Sequence, residues 1–266
     1  MSIFTKFDPF LERLTKAMQI GRSPVGIQFD KVLSPTRGVI DGKEVILVGT
    51  NNYLGLTFDE KCMTAAKDAI DRHGTGTTGS RVANGNYVEH AKLEQAVTRF
   101  MGTSSTIVFS TGYQTNLAAI AGLTDAKDQI FIDADSHACI YDACRLSTAS
   151  TIRFRHNNPE DLDKRLSRTE KPEGDRLVVI EGMYSMEGET PRLREIVAVK
   201  KRYGAYLYLD EAHSIGALGA TGRGVCEHHG VDTADVDIMM GTFTKSFGAV
   251  GGYVASSSAL LSLIHI

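Results

Sequence analysis

Four side chains of this 266-residue chain have the types and settings to do chemistry together. Lys245 lies in GTFTKS, between Thr244 and Ser246. A lysine there is either a solvated surface charge or, if partly buried at a ligand edge, an amine of lowered pKa that attacks a carbonyl to form a Schiff base. Asp210 closes the run Ala-Tyr-Leu-Tyr-Leu. An unpaired carboxylate is costly to bury. Asp210 is therefore a helix N-cap or the partner of a buried cation such as a protonated pyridine nitrogen. His213 follows three residues later; if a helical turn starts at Asp210, both side chains point the same way and His213 reaches a hydroxyl on the same ring. A histidine satisfied in the core is the alternative. His137, in DADSHACIYDA, stands where a helix starts and could stack on a flat heteroaromatic ring, or could simply cap that helix.

Gly112 and Tyr113 follow an apolar run and precede the helix-like YQTNLAAIAG. Free backbone N–H groups and the helix dipole at such a start bind phosphate, although an ordinary strand-to-helix turn reads the same way. Thr242 and Thr244 could add hydroxyl donors to that phosphate, and Ser185, in EGMYS, could donate to the ring hydroxyl or be an unremarkable turn serine. Amine, ring partner, stacking imidazole and phosphate cradle together describe a site for pyridoxal 5′-phosphate (PLP).

The elements that must position these residues alternate. Helical spacing over 61–73 puts Met63, Ala66, Ala69 and Ile70 on one face, and over 89–101 it does so with Leu93, Val97, Phe100 and Met101. Compact apolar runs lie at Thr106–Phe109, Gln129–Ile132, Arg176–Ile180, Ala205–Leu209, Asp237–Met240 and Gly251–Ala255. Most are apolar on both faces, as buried parallel strands are. Alternating strands and helices predict an α/β sheet covered on both sides. Ligands of such sheets sit beyond the carboxyl ends of the strands, where the polar stretches 110–113, 133–137, 181–185, 210–213 and 241–246 all fall.

Composition excludes several classes. Hydrophobic residues make up 42% and charged residues 23%, with a net charge of −3 and the two signs mixed. No basic face suggests nucleic acid, and no run of about 20 apolar residues suggests a membrane span. The cluster Lys200, Lys201, Arg202 reads as charge favouring a helix C-terminus. The four cysteines form no CxxC pair and no metal-ligand spacing, which predicts reduced thiols, no metal and a cytoplasmic setting. The stretch HGTGTTGSRVANG holds no P-loop lysine, and His228–His229 reads as surface. The N-terminus has no signal-peptide character and reads as a short amphipathic helix.

The strings NNYLGL, GTGTTGSRVANG, VFSTGYQTNL, DADSHACIYD, EGMYSMEG, YLDEAHSIGALGATGRG and GTFTKSFGAVGGY resemble the α-oxoamine synthases, over residues 40–255. These are fold-type-I PLP enzymes that join an amino acid to an acyl-CoA thioester. LVGTNNYLGLTFD, IRFRHNNPEDLDKRL and VFSTGY resemble most the serine palmitoyltransferase branch, which uses L-serine and a long-chain acyl-CoA. Branches using glycine with short acyl groups, or alanine with pimeloyl groups, share the cofactor shell and remain alternatives, as does a non-catalytic partner subunit or an inactive fragment. The resemblance implies a homodimer with shared active sites. It implies Lys245 as the Schiff-base lysine, Asp210 on the pyridine nitrogen and His213 and Ser185 near the ring hydroxyl. It also implies His137 on the ring face and near the substrate carboxylate, with Gly112, Tyr113, Thr242 and Thr244 on the phosphate. The expected division is an N-terminal helix and short strands over 1–45, a large PLP-binding domain over 46–255, and an end over 256–266. The family's smaller C-terminal domain is expected to be missing, and ALLSLIHI to be a truncated and partly non-native end.

Overall fold

The computed structural model describes residue 2, residues 4–20 and residues 26–256. The expected end at 257–266 lies outside the described residues, and Ser256 closes the last strand. The chain forms two compact units, Met1–Thr50 and Asn51–Ile266. In the first, α1 (Asp8–Ile20) is the amphipathic helix expected from the sequence. It is followed by an antiparallel sheet of β1 (Lys31–Ser34), β2 (Arg37–Ile40) and β3 (Lys43–Ile46).

The second unit opens with α2 (Glu60–His73) and α3 (Val88–Met101), then alternates β4 (Ser105–Phe109), α4 (Gly112–Leu123), β5 (Gln129–Asp133), α5 (Ala138–Leu146), β6 (Ser150–Phe154) and α6 (Pro159–Arg168). It continues through β7 (Arg176–Glu181), α7 (Leu193–Arg202), β8 (Tyr206–Asp210), α8 (Val225–His229), β9 (Ile238–Thr242) and β10 (Gly252–Ser256). The seven strands lie in the order β4-β10-β9-β8-β7-β5-β6.

The six expected strands are all present within a residue or two, and the sheet is mostly parallel. Two features differ from the sequence reading. β10 pairs antiparallel with both β4 and β9, because only a short turn separates it from β9 and leaves no room for a crossover. The edge strand β6 went unpredicted. Its burial alternates weakly, with only Phe154 buried, so it lacks the continuous apolar run of its neighbours.

Strand periodicity explains why both faces are covered. Val178, Ile180, Leu207 and Leu209 enter one core, with Val97 and Met101 of α3, Leu162 and Leu166 of α6, and Ile196 of α7. The alternate residues Leu177, Val179 and Tyr208 enter the other, with Ala119 and Ile120 of α4 and Ile140 and Ala143 of α5. Each fully buried Leu, Ile or Val contributes roughly 1.5–3 kcal/mol. Lys200, predicted only as a helix-end charge, is buried and paired with Asp237 at 2.7 Å. The expected apolar face of α2 forms, but nothing described covers it: Met63 and Ile70 are exposed.

Candidate active site

Parallel pairing puts the carboxyl ends of adjacent strands level. Glu181 of β7 is in register with Asp210 of β8, and Asp210 with Met240 of β9. Beyond these ends lies a pocket of about 270 Å³ lined by Gly112, Tyr113, His137, Asp210, His213, Thr242, Thr244 and Lys245. Eight of the nine residues singled out from the sequence thus meet in one place. The ninth, Ser185, is exposed, makes no hydrogen bond among the described residues and does not line the pocket.

Asp210 is 4% exposed. Its Oδ1 accepts from the Ala212 N–H at 2.9 Å and its Oδ2 from the Asn116 amide at 2.7 Å. No cation among the described residues bonds to it. Lys245 is half-buried, and its amine makes no hydrogen bond to a described residue. Burial pushes its pKa down, against the pull of Asp210 and Glu181. The loop that carries it is anchored from below, where Ser246 Oγ donates to the Ile215 carbonyl at 2.6 Å. Ile215 and His213 share one turn, so the lysine and histidine loops are locked together. Gly216 permits this contact: its φ is +76°, and a Cβ there would stand 2.7 Å from Ser246 Cβ.

His213 Nδ1 lies 2.8 Å from the Tyr53 hydroxyl. Burial, then the Lys245 and His137 charges, lower its pKa to about 4. His137 both caps α5 and lines the pocket. Its Nδ1 accepts from the Cys139 N–H at 3.2 Å, and its own N–H donates to Glu181 Oε1. Glu181 is 5% exposed, and burial together with the nearby Asp210 charge pushes its pKa up.

At the opposite end, Thr111 caps α4 by accepting from Gln114 N–H at 3.1 Å. The N–H groups of Gly112 and Tyr113 have no intrahelical acceptor, as at every helix start. A Cβ on Gly112 would stand 2.9 Å from Thr242 Oγ1, so glycine lets this helix start approach β9. Thr242 donates to the Gly251 carbonyl at 2.9 Å, and Thr244 Oγ1 lies 2.9 Å from Thr242 Oγ1. The Thr242 proton is committed inward, which leaves Thr244 the more available donor.

The sequence reading missed Asn116, Cys139 and Tyr53, and gave Glu181 no role. Asn116 had a signal: it lies one turn past Gly112, a polar residue entering an apolar helix. Tyr53 had none, since it meets His213 from 160 positions away.

Residues 43–266 match the family described as aminotransferase class I and II. A serine palmitoyltransferase of Caulobacter vibrioides is 52% identical over 96% of this chain. The solved serine palmitoyltransferase of Sphingomonas wittichii is 50% identical, covers 99% of the chain and superposes with a TM-score of 0.95. The S. paucimobilis enzyme with a bound PLP–myriocin aldimine gives 46% identity, the same coverage and the same TM-score. The chain spans 63% of the length of the Caulobacter relative and 66% of each of the two solved chains. The architecture is that of the fold-type-I large domain, and the chain belongs to the class I and II aminotransferase family and, within it, to the α-oxoamine synthases.

Proposed function

We propose that this chain holds PLP at the carboxyl edge of its sheet and serves the condensation of L-serine with palmitoyl-CoA, with loss of carbon dioxide. The product would be 3-ketodihydrosphingosine, at the first step of sphingolipid synthesis. The observation that carries this reading is the meeting of Asp210, Lys245 and the free amides of Gly112 and Tyr113 in one pocket.

The residues fit the cofactor. A carboxylate that no cation neutralises stands at one end, and anion-seeking amides stand at the other, beside a glycine with no room for a Cβ. An amine without a partner lines the same pocket. When bound, PLP supplies an electron sink for charge developing at the α-carbon of the amino acid. Asp210, oriented by Asn116 and Ala212, would hold the proton on the ring nitrogen. Lys245 would carry the cofactor covalently. Its lowered pKa enlarges its uncharged fraction, so the amine can attack a carbonyl and, once released, exchange a proton at the substrate. His137 would lie against the ring and near the substrate carboxylate, and His213 would face the ring hydroxyl. Gly112, Tyr113 and Thr244 would hold the phosphate with Thr242 behind them. The assignment of Ser185 to the ring hydroxyl rests on the resemblance alone.

A homodimer is part of the proposal. Met63, Ile70, Val82 and Val88 expose apolar surface, which supports a second copy as cover. No helix among the described residues is long and apolar enough to cross a membrane. Four free cysteines support a reducing, cytoplasmic setting.

Borohydride reduction of the chain with PLP, followed by peptide mapping, tests the central assignment. The pyridoxyl group is expected on Lys245; a label on any other lysine overturns it. Release of free CoA from palmitoyl-CoA should be faster with serine than with glycine or alanine. Equal rates with glycine would move the chain to a glycine-using branch.

A further inference from the structure

The two sides of the pocket are joined by a chain of buried hydrogen bonds that the chemistry above does not use. Asn116 Nδ2 has two protons and two acceptors: Asp210 Oδ2 at 2.7 Å and Cys139 Sγ at 3.1 Å. Its Oδ1 accepts from the Tyr208 hydroxyl at 2.7 Å. The amide cannot be flipped, because its carbonyl would then face the Asp210 carboxylate. Both Asn116 and Tyr208 are essentially inaccessible to solvent, so an unsatisfied group there would carry its full desolvation cost.

The sulfur of Cys139 accepts from Asn116, and its own proton has one partner among the described residues, His137 Nδ1 at 2.8 Å. The Cys139 backbone N–H points at the same nitrogen from 3.2 Å. A nitrogen faced by a backbone N–H must present its lone pair, so Nδ1 cannot also carry a proton for the sulfur. This excludes a thiolate–imidazolium pair. The thiol itself is a firm donor, since burial and then the Asp210 charge raise its pKa to about 12. Glu181 fixes the other side of His137 by accepting its backbone N–H. Nε2 has no partner among the described residues, on a residue that lines the pocket.

We propose that Cys139 and Asn116 are positioning residues: beside the backbone N–H that keeps Nδ1 bare, the Cys139 thiol donates to His137 Nδ1 and Asn116 ties that thiol to Asp210, so that the ring is held with its Nε2–H towards the pocket. The ring-nitrogen partner and the ring-face imidazole are thereby set by one network. A group met by His137 at this edge would be an acceptor, such as a carboxylate. The inference stands on the protein's own hydrogen bonds and holds whether or not the PLP assignment does.

The test is nitrogen-15 NMR of the histidine rings in the chain without ligand, at a pH about two units above the ordinary imidazole value of roughly 6.5. His137→Gln identifies the signal. The expected spectrum shows Nε2 protonated and Nδ1 bare, unchanged in Cys139→Ser. In Cys139→Ala the backbone N–H still keeps Nδ1 bare, and the Nδ1 resonance should move towards that of a less strongly hydrogen-bonded nitrogen, while His228 does not move. Asn116→Ala should shift the His137 signals without touching them directly. A wild-type ring protonated at Nδ1, or Cys139→Ala spectra identical to wild type, would overturn the proposal. Should the variants fail to fold, infrared spectroscopy of the wild type decides. A hydrogen-bonded S–H stretch that persists when the exposed Cys62 is blocked is expected, and it must change as the pH is titrated through the ordinary imidazole range near roughly 6.5. A stretch that ignores that titration counts against the thiol's role.

Discussion

Two clusters of charge sit side by side at the carboxyl end of the same sheet, and they are built to opposite plans. Beyond β5 and β6, His156 is clamped: Nδ1 meets Asp133 at 2.7 Å and Nε2 meets Glu189 at 2.8 Å. Asp133 also accepts from the N–H groups of Asn157 and Asp135, and the Asn157 side chain reaches Glu189. Every charged group there has a partner. Beyond β7, β8 and β9, Glu181 and Asp210 are buried side by side, and Lys245 bonds to neither. The first cluster ties loops together. The second keeps charge unneutralised in a place that excludes much of the water, which is an arrangement suited to a ligand that completes it.

The comparison breaks most sharply if Asp210 behaves like a structural carboxylate. Asp210→Asn should keep the fold at a cost of about 1–3 kcal/mol, because the Ala212 N–H and the Asn116 amide both need an acceptor and the new side chain offers only one. Serine-dependent CoA release, wherever the active protein shows it, should fall by at least about 4 kcal/mol, or roughly a thousandfold. A loss of only a few-fold would make the open cluster structural after all. The clamp should show the reverse pattern. His156→Ala strands the fully buried Asp133 carboxylate, and breaking such a pair costs about 3 kcal/mol. Urea unfolding should register that loss while PLP still labels Lys245. An unchanged midpoint would show that the clamp holds nothing.

The pH dependence should separate the two clusters by sign. Burial opposes the charge on His156, but its bonds to Asp133 and Glu189 outweigh burial and raise its pKa. Its contribution is complete below the unfolded value of about 6.5 and is lost as pH rises through the folded value. His213 is the reverse case. Its folded pKa is pushed down to about 4, so the unfolded chain binds more protons between about 4 and 6.5, and stability falls as pH drops through that window. The His213 effect should be about 1–2 kcal/mol, after allowing for solvent screening. By urea midpoint against wild type across pH 4–9, His156→Gln should be least stable at acid pH with the gap closing above about 6.5, whereas His213→Gln should gain on wild type as pH falls below that value. Differences of the same sign at acid pH would remove the contrast.

Much of the open cluster was legible in the sequence and almost none of the clamp was. Asp210, Lys245 and Gly112 each follow a continuous apolar run, so the position just past a buried strand announces itself by the break in hydrophobicity. The pairing of Asp133, His156 and Glu189 depends on which strands are neighbours. β6 lies beside β5 at the sheet edge, and its half-exposed STIRF gives no such run. Asn116 and Cys139 failed for another reason. They line the pocket from inside helices α4 and α5, where a small polar side chain looks like any tolerated substitution. The direction of β10 was missed because an apolar strand carries no mark of its orientation.

The smallest effect concerns the two lysines that burial places in contrasting roles. Lys200, at the end of α7, is paired with Asp237, which also accepts the Leu207 N–H at 2.7 Å. Its amine has its counterion already and lies away from the carboxyl edge. Asp237 remains about 28% exposed, so water can take over part of the lysine's work when it is removed. Lys200→Met keeps the apolar stem, and it should therefore lower stability by only about 1 kcal/mol. The yield of pyridoxyl label at Lys245 should be unchanged, because no hydrogen bond links the two amines. A mapped label on Lys200 in the wild type, or a loss of label at Lys245 in the variant, would mean that pairing and burial do not distinguish a structural amine from a reactive one in this fold.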